Sequence, residues 1–318
     1  MKEVESRLKE EVKKILDEVA YVVGYQEGLT PLSARPLFIR NPKEVDRLVY
    51  NDFCAPNLAN YVKKSDQKIG IDQKVGLIVK GCDCRSVVQL LQEGILKREN
   101  LILIGVPCRG MISFKKIEKL FDPLETYLAE VRDKKLKVHL AQGEESYHLE
   151  DVVFEKCLWC ETREPLVVDI MIQGPLSLEL EQKEKDFDIV ELEQKEPAEL
   201  FDFWTAQFEK CIRCYACRNA CPLCYCQDNC LADTRQPHWL GQQTDALNNF
   251  MYHMIRAMHV VGRCTGCQEC ERVCPVDIPI SKIFRKTSMI TQQLFDYIPG
   301  MKVEDVPPLL TFKKDEKF

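Results

Sequence analysis

In the first 23 residues, apolar side chains recur at Val4, Leu8, Val12, Ile15 and Val19, with Lys and Glu between them. This spacing predicts an amphipathic helix over 2–23. Asn41 followed by Pro42 predicts a second helix start, because Asn caps early N–H groups and proline suits the first helical position. At 75–107 the pattern changes. VGLIVKG (75–81) and NLILIGVP (100–107) are short apolar runs, and RSVVQLLQEG (85–94) between them has helical spacing and ends at a glycine. Strand, helix and strand predict a right-handed βαβ unit with parallel strands. Further strands are expected within 134–175, at KLKVHLA and PLVVDIMI.

From 179 to 199 acidic residues dominate, so an acidic linker or edge is expected between a first domain (1–178) and a helical second one (200–295). Ala198–Glu209 predicts a helix with Leu200, Phe201, Trp204 and Phe208 on its buried side. Leu247, Phe250, Met251, Met254, Ile255 and Met258 form a helical stripe within 245–260. His253 and His259 lie beside it and read as surface or core histidines rather than ligands, since no carboxylate or cysteine shares their helical spacing. Residues 296–318, with Pro299, Pro307 and Pro308, are expected to form an extended tail.

Composition narrows the function. The 318 residues suffice for two domains, and 50 acidic against 44 basic residues give a net charge of −6, which argues against a nucleic-acid surface. No apolar run reaches the roughly 20 residues that span a bilayer. The N-terminal segment lacks an apolar signal core, so a cytoplasmic location is expected. In that setting the 17 cysteines read as metal-binding thiolates rather than disulfide partners.

Two stretches repeat one pattern. Cys211, Cys214, Cys217 and Cys221-Pro222 follow C-x2-C-x2-C-x3-C-P, as do Cys264, Cys267, Cys270 and Cys274-Pro275. Three thiolates at x2 spacing wrap the chain around one cubane, and the fourth points away to a second, the pattern of two-cluster [4Fe-4S] proteins. Crossed ligation assigns Cys211, Cys214, Cys217 and Cys274 to one cluster, and Cys264, Cys267, Cys270 and Cys221 to the other. Zinc sites use paired C-x2-C knuckles instead of triplets. Cys82, Cys108, Cys157 and Cys160, with Cys84 or Cys54 as substitutes, are candidate ligands of a third [4Fe-4S] cluster. They lie on expected loops after the two strands and in a C-x2-C pair. A zinc site, a redox dithiol or structural cysteines are the alternatives there. Cys224, Cys226 and Cys230 are left over, as substitute ligands or as neighbours that tune a cluster.

The helical spacer at 222–263 makes residues 200–290 resemble an α-helical ferredoxin. KGCDCRS, IGVPCRG, EKCLWCETREP and CPLCYC together resemble the beta subunits of formate dehydrogenases and coenzyme F420-reducing hydrogenases. The resemblance implies an N-terminal α/β domain followed by a mainly helical dicluster ferredoxin domain. It also implies an electron relay between a catalytic oxidoreductase subunit and a second redox partner. The alternative is an enzyme whose α/β domain holds a flavin and reduces a deazaflavin or similar acceptor. No G-x-G-x-x-G follows a strand, and no acid–base pair or activated nucleophile stands out.

Overall fold

A computed structural model describes residues 1–62, 73–176, 178, 180–226, 230, 241 and 243–311. Within the tail expected at 296–318, residues 312–318 lie outside that description. The chain forms two compact units. The first holds residues 1–62, 73–84 and 97–185, and the second holds 85–96 together with the described residues from 186 onward.

In the first unit, helix α1 (Lys2–Ile15) buries Val4, Leu8, Val12 and Ile15. Each such side chain contributes roughly 1.5–3 kcal/mol of apolar transfer. The helix stops earlier than its spacing predicts. Residues 16–20 turn, Val19 stays half-buried, and the chain continues as strand β1 (Val22–Glu27), which pairs antiparallel with β2 (Ala34–Ile39). Gly24 sits in β1 because a Cβ there would lie 2.7 Å from Leu48 and 2.9 Å from Ile78. Asn41 does cap, its side chain accepting from Lys43 N–H, but the turn that follows (Pro42–Arg47) is a 3-10 helix.

Strands β3 (Val75–Val79) and β4 (Leu101–Gly105) are fully buried and pair in parallel, as their continuous apolar runs require. β1 and the short β8 (Ile170–Met171) complete a mixed sheet in the order β2-β1-β3-β4-β8. Most of PLVVDIMI is therefore loop. Between β3 and β4 runs α2 (Gly81–Gln92), which begins directly after the strand. Cys82 and Cys84 consequently lie in its first turn and not on a loop. Helices α3 (Phe114–Ile117) and α4 (Leu149–Val152) flank an antiparallel meander of β5 (Thr126–Arg132), β6 (Lys135–Leu140) and β7 (Gly143–His148).

The second unit is helical: α5 (Phe187–Glu193), α6 (Pro197–Glu209), α7 (Ala216–Asn219), α8 (Ala246–Val260), α9 (Glu269–Arg272) and α10 (Ser281–Phe295). The acidic segment is not simply solvated. Asp186 and Asp188 are buried and paired with Arg285, and Asp188 also with Lys282. On α6 only Phe208 is buried, and Phe201 is exposed, against expectation.

α8 forms where its stripe predicts, but the opposite side faces inward. Its buried residues are Asn249, Tyr252, His253, Arg256, Ala257 and Val260, while Leu247 and Met258 are 71% and 65% exposed. The segment 85–96 is tied into this unit by Glu93, which accepts from Arg263 Nε and Nη2 at 2.6 Å each and from Tyr225 Oη at 2.6 Å. Tyr297 Oη bonds the side chains of Gln89 and Gln92, at 3.0 and 2.8 Å.

Candidate metal centres

The two cysteine runs share backbone geometry. Arg213 and Gly266, each one residue before the second cysteine, have φ of 50° and 70°. Tyr215 and Gln268, each one residue after it, have φ of 60° and 55°. Left-handed residues other than glycine cost of order 1–3 kcal/mol and persist only where surroundings over-determine them. Each run then enters a one-turn helix, α7 or α9, carrying its third cysteine.

Cys211, Cys214, Cys217 and Cys274 line one cavity of about 370 Å³, counting its open mouth, so the fourth thiol comes from the other run. Tyr252 and His253 of α8 complete the wall. Asn249 fixes α8 to the first run by donating to Phe208 O and Cys211 O, at 2.9 and 2.8 Å. His253 stacks on Phe208 and meets Tyr252 edge-on, with centroids 5.2 and 4.9 Å away. Its Nε2 lies 3.4 Å from Cys211 Sγ. Burial, then the charges of Arg256 and Arg213, push the His253 pKa down to about 3, so the ring is neutral. Arg256 Nη1 donates to Cys217 Sγ at 3.1 Å, and Tyr252 Oη is 4.0 Å from the same sulfur.

In the second run, too, a thiol reaches across: the charge of Cys267 acts on Cys221 of the first run. Burial, then the charge of Cys267, pushes the Cys264 thiol up to about 11. Burial dominates at Cys270 too, followed by the charge of Glu271 and, more weakly, of Cys264 and Cys267. Cys221 is raised by its hydrogen bond with Cys224 and by burial, with Cys267 close enough to add to the effect. Of the leftover thiols, Cys224 thus sits beside Cys221, Cys230 is buried against Tyr252, and Cys226 is exposed.

These surroundings fit anionic clusters. No disulfide joins any of the 17 cysteines. Buried thiols with raised pKa bind metal only by releasing protons, so the bound cluster replaces an otherwise neutral site. Arg213 Nη2 and Arg256 Nε are buried without a hydrogen-bond partner among the described residues. Leaving a charged donor unsatisfied costs about 1–3 kcal/mol or more, and an anionic group beside it offsets that.

In the first unit, Cys108 lies within electrostatic reach of Cys157, Cys160 and Cys82. Burial pushes Cys108 up to about 12, with contributions from the charges of Cys157 and Cys160. Cys82 is raised well above its ordinary value, first by burial and then by Asp83, with Cys108 also close. Gly81 allows this approach: a Cβ there would stand 1.6 Å from Thr162 O. Arg163 clamps the loops, donating to Arg109 O at 3.0 Å and Cys157 O at 3.1 Å, while its own carbonyl accepts from Cys108 N–H at 3.1 Å. The two substitutes are engaged elsewhere. Cys84 Sγ donates to Val167 O and accepts from Val167 N–H, at 3.4 and 3.3 Å. Cys54 Sγ accepts from Asn51 N–H at 3.4 Å. Lys80, buried with Asp83 and Tyr25, places a cation within reach of Cys82 and Cys108.

Among the described residues, no three His, Cys, Asp or Glu side chains converge closely enough to hold a single metal ion. The model of the 4Fe-4S dicluster domain family matches residues 207–278. This part of the chain is similar to 4Fe-4S dicluster domains. Outside the dicluster domain the similarity continues. The chain is 25% identical to the F420-dependent formate dehydrogenase subunit beta of Methanocaldococcus jannaschii, over 95% of this chain and 92% of that one. It is also 25% identical to the F420-dependent formate dehydrogenase 1 subunit beta of Methanococcus maripaludis, over 94% and 91%. A chain of the F420-reducing [NiFe] hydrogenase complex from Methanosarcina barkeri overlaps 50% of this chain and 62% of its own length, with a TM-score of 0.39 and 15% identity. Among the described residues no helix is long and apolar enough to cross a membrane.

Sequence reading missed His253, Arg256 and Arg163 as parts of the sites. Arg163 lies inside the EKCLWCETREP stretch that marks the resemblance. His253 and Arg256 lie three residues apart on one helix face, beside Tyr252, and that polar spacing was their only signal.

Proposed function

We propose that the chain is the iron–sulfur electron-transfer subunit of an anaerobic oxidoreductase complex. It relays single electrons between a catalytic subunit of formate dehydrogenase or hydrogenase type and a second redox partner in the cytoplasm. The convergence of Cys211, Cys214 and Cys217 with Cys274 of the other run carries this reading. These four thiols hold one [4Fe-4S] cluster; Cys264, Cys267, Cys270 and Cys221 hold the second; and Cys82, Cys108, Cys157 and Cys160 hold a third. Bound clusters supply one-electron chemistry, and the protein's residues fix their positions, exclude water and donate hydrogen bonds to sulfur. Anaerobic purification with iron analysis tests it. About twelve irons, reducible in single-electron steps, are expected at four per cluster. A protein carrying zinc, or iron that takes up no electrons, would defeat it.

In a second reading the first unit holds a flavin and passes electrons to a deazaflavin; the two relatives, both named as F420-dependent, favour such an acceptor. Flavin absorbance in the purified protein, with clusters bleached by reduced F420, would support it. Iron–sulfur absorbance alone and no response to F420 would leave the relay.

A further inference from the structure

The two thiol sets of the dicluster domain sit in unequal electrostatic surroundings. Around the first, hydrogen-bond donors meet the ligand sulfurs directly. Arg256 Nη1 is 3.1 Å from Cys217 Sγ, Ile278 N–H donates to Cys274 Sγ at 3.4 Å, and His253 Nε2 lies 3.4 Å from Cys211 Sγ. Once Cys211 is a metal-bound thiolate it only accepts, and the ring then donates from Nε2. His253 Nδ1, the acceptor in that tautomer, is accordingly buried without a partner among the described residues. Arg256 is 3% exposed and is paired with no carboxylate there.

In the second set a carboxylate stands next to one of the ligands. Glu271 follows Cys270 directly and is the strongest charge acting on its thiol. Ser281 N–H and Oγ both donate to Glu271 Oε1, at 2.9 and 2.6 Å, which fixes that oxygen as an acceptor. Cations also reach this set: Arg285 acts on Cys264 and on Glu271, and is itself paired with Asp186 and Asp188. Arg85, the other, spends its Nε and Nη2 donors on Pro299 O. Arg256 reaches Cys270 and Cys221 by charge, whereas its hydrogen bond to sulfur goes to the first set.

We infer that Arg256 and His253 raise, and Glu271 lowers, the potentials of their respective clusters, so that the cluster at Cys211, Cys214, Cys217 and Cys274 is reduced first. Adding an electron makes an anionic cluster more negative. Donors to sulfur and a buried cation stabilise that state, and a nearby carboxylate opposes it. In the relay one electron leaves the second cluster, oxidising it, and reduces the first; no bond forms or breaks. The inference rests on the dicluster reading with crossed thiols and adds a direction to it.

The test is an anaerobic redox titration of the full-length, iron-loaded protein followed by electron paramagnetic resonance. Cys214→Ser identifies the first cluster's signal. Two signals titrating separately are expected, the first cluster's at the higher potential. Arg256→Gln and His253→Leu shift that signal downward, Arg256→Lys shifts it less, and Glu271→Gln moves the other signal upward. The inference fails if the wild-type order is reversed, or if Arg256→Gln and Glu271→Gln retain iron and leave both potentials in place. Should Arg256→Gln not fold, Arg256→Lys and Glu271→Gln carry the same decision. A wild-type dicluster domain that never binds its share of about eight irons would defeat the dicluster reading itself.

Discussion

Arg256 Nη1 lies 3.1 Å from Cys217 Sγ, and Arg256 Nη2 donates to the carbonyl of the same cysteine at 3.0 Å. One guanidinium therefore holds both the ligand atom and the backbone of the third cysteine in the first run. Cys217 and Cys221 lie four residues apart in that run, yet Cys221 feels the charge of Cys267 of the other run. Replacing Cys217 by Ser is expected to remove the first cluster's paramagnetic signal, and replacing Cys221 by Ser the second's. Loss of the same signal in both variants would show that ligation is not crossed.

The four thiols of the first unit predict an iron count. Cys108→Ser or Cys157→Ser in the full-length protein should lower iron from about twelve to about eight per chain. Cys84→Ser should keep the full count, because its thiol is engaged with Val167 on both sides. Iron analysis of the three variants decides, and unchanged iron in Cys108→Ser counts against a cluster there.

A methyl group at Gly81 would meet Thr162 O at 1.6 Å. Gly81→Ala is expected to destabilise the first unit by about 1–3 kcal/mol, typical of overpacking. It should also loosen iron held through Cys82. Denaturant unfolding beside iron analysis measures both effects, and a variant as stable as wild type would show that Thr162 moves freely.

Asp188 predicts a pH dependence. Burial raises its pKa, but hydrogen bonds from Arg285 and Lys282, and then their charges, outweigh burial and hold it below the ordinary carboxylate value. With the folded value depressed, the stabilisation is present above the unfolded pKa of about 3.9 and is lost as pH falls through the lower folded value. Asp188→Asn should cost about 3–5 kcal/mol near neutrality, as for a broken buried pair, and flatten the acid limb below about pH 4. Thermal melts of the two proteins across pH test this; parallel acid limbs would contradict it.

The left-handed residues of the two runs predict that the dicluster domain needs its metal to hold shape. Arg213, Tyr215 and Gln268 each adopt positive φ. Anaerobic iron removal should abolish hydrogen-exchange protection in α7 and α9 while leaving the buried β3 and β4 protected. Full protection of both short helices in the apo protein would show that packing alone sustains the strain.

The cysteine runs were legible because the geometry of a cubane is written directly into their spacing. β3 and β4 were legible because strands buried on both faces are continuously apolar. Residues 143–148, by contrast, are Gly-Glu-Glu-Ser-Tyr-His and mostly exposed, so no alternation announced β7. Cys82 was expected on a loop because nothing in the sequence shows that Thr162 approaches Gly81 and lets the helix begin at once. The inward side of α8 was hidden for a different reason. A helix facing thiolates buries Asn249, His253 and Arg256, whereas a stripe of Leu, Phe and Met usually marks the core; here several of those side chains are exposed.

The tie between Glu93 and Arg263 has a consequence for biosynthesis. Residues 85–96 leave the ribosome long before Arg263 and Tyr225 exist, so Glu93 must wait for its partners through the synthesis of some 130–170 residues. Closing a loop of that length costs entropy before any contact compensates, and such distant pairings slow folding. Cutting the gene at the boundary after Lys185 would sever this tie, and the excised iron–sulfur segment would lack a piece of its own structure. Transplanting these clusters into another protein therefore requires more than the stretch from 186 onward: among the described residues, the 12 residues 85–96 belong with it.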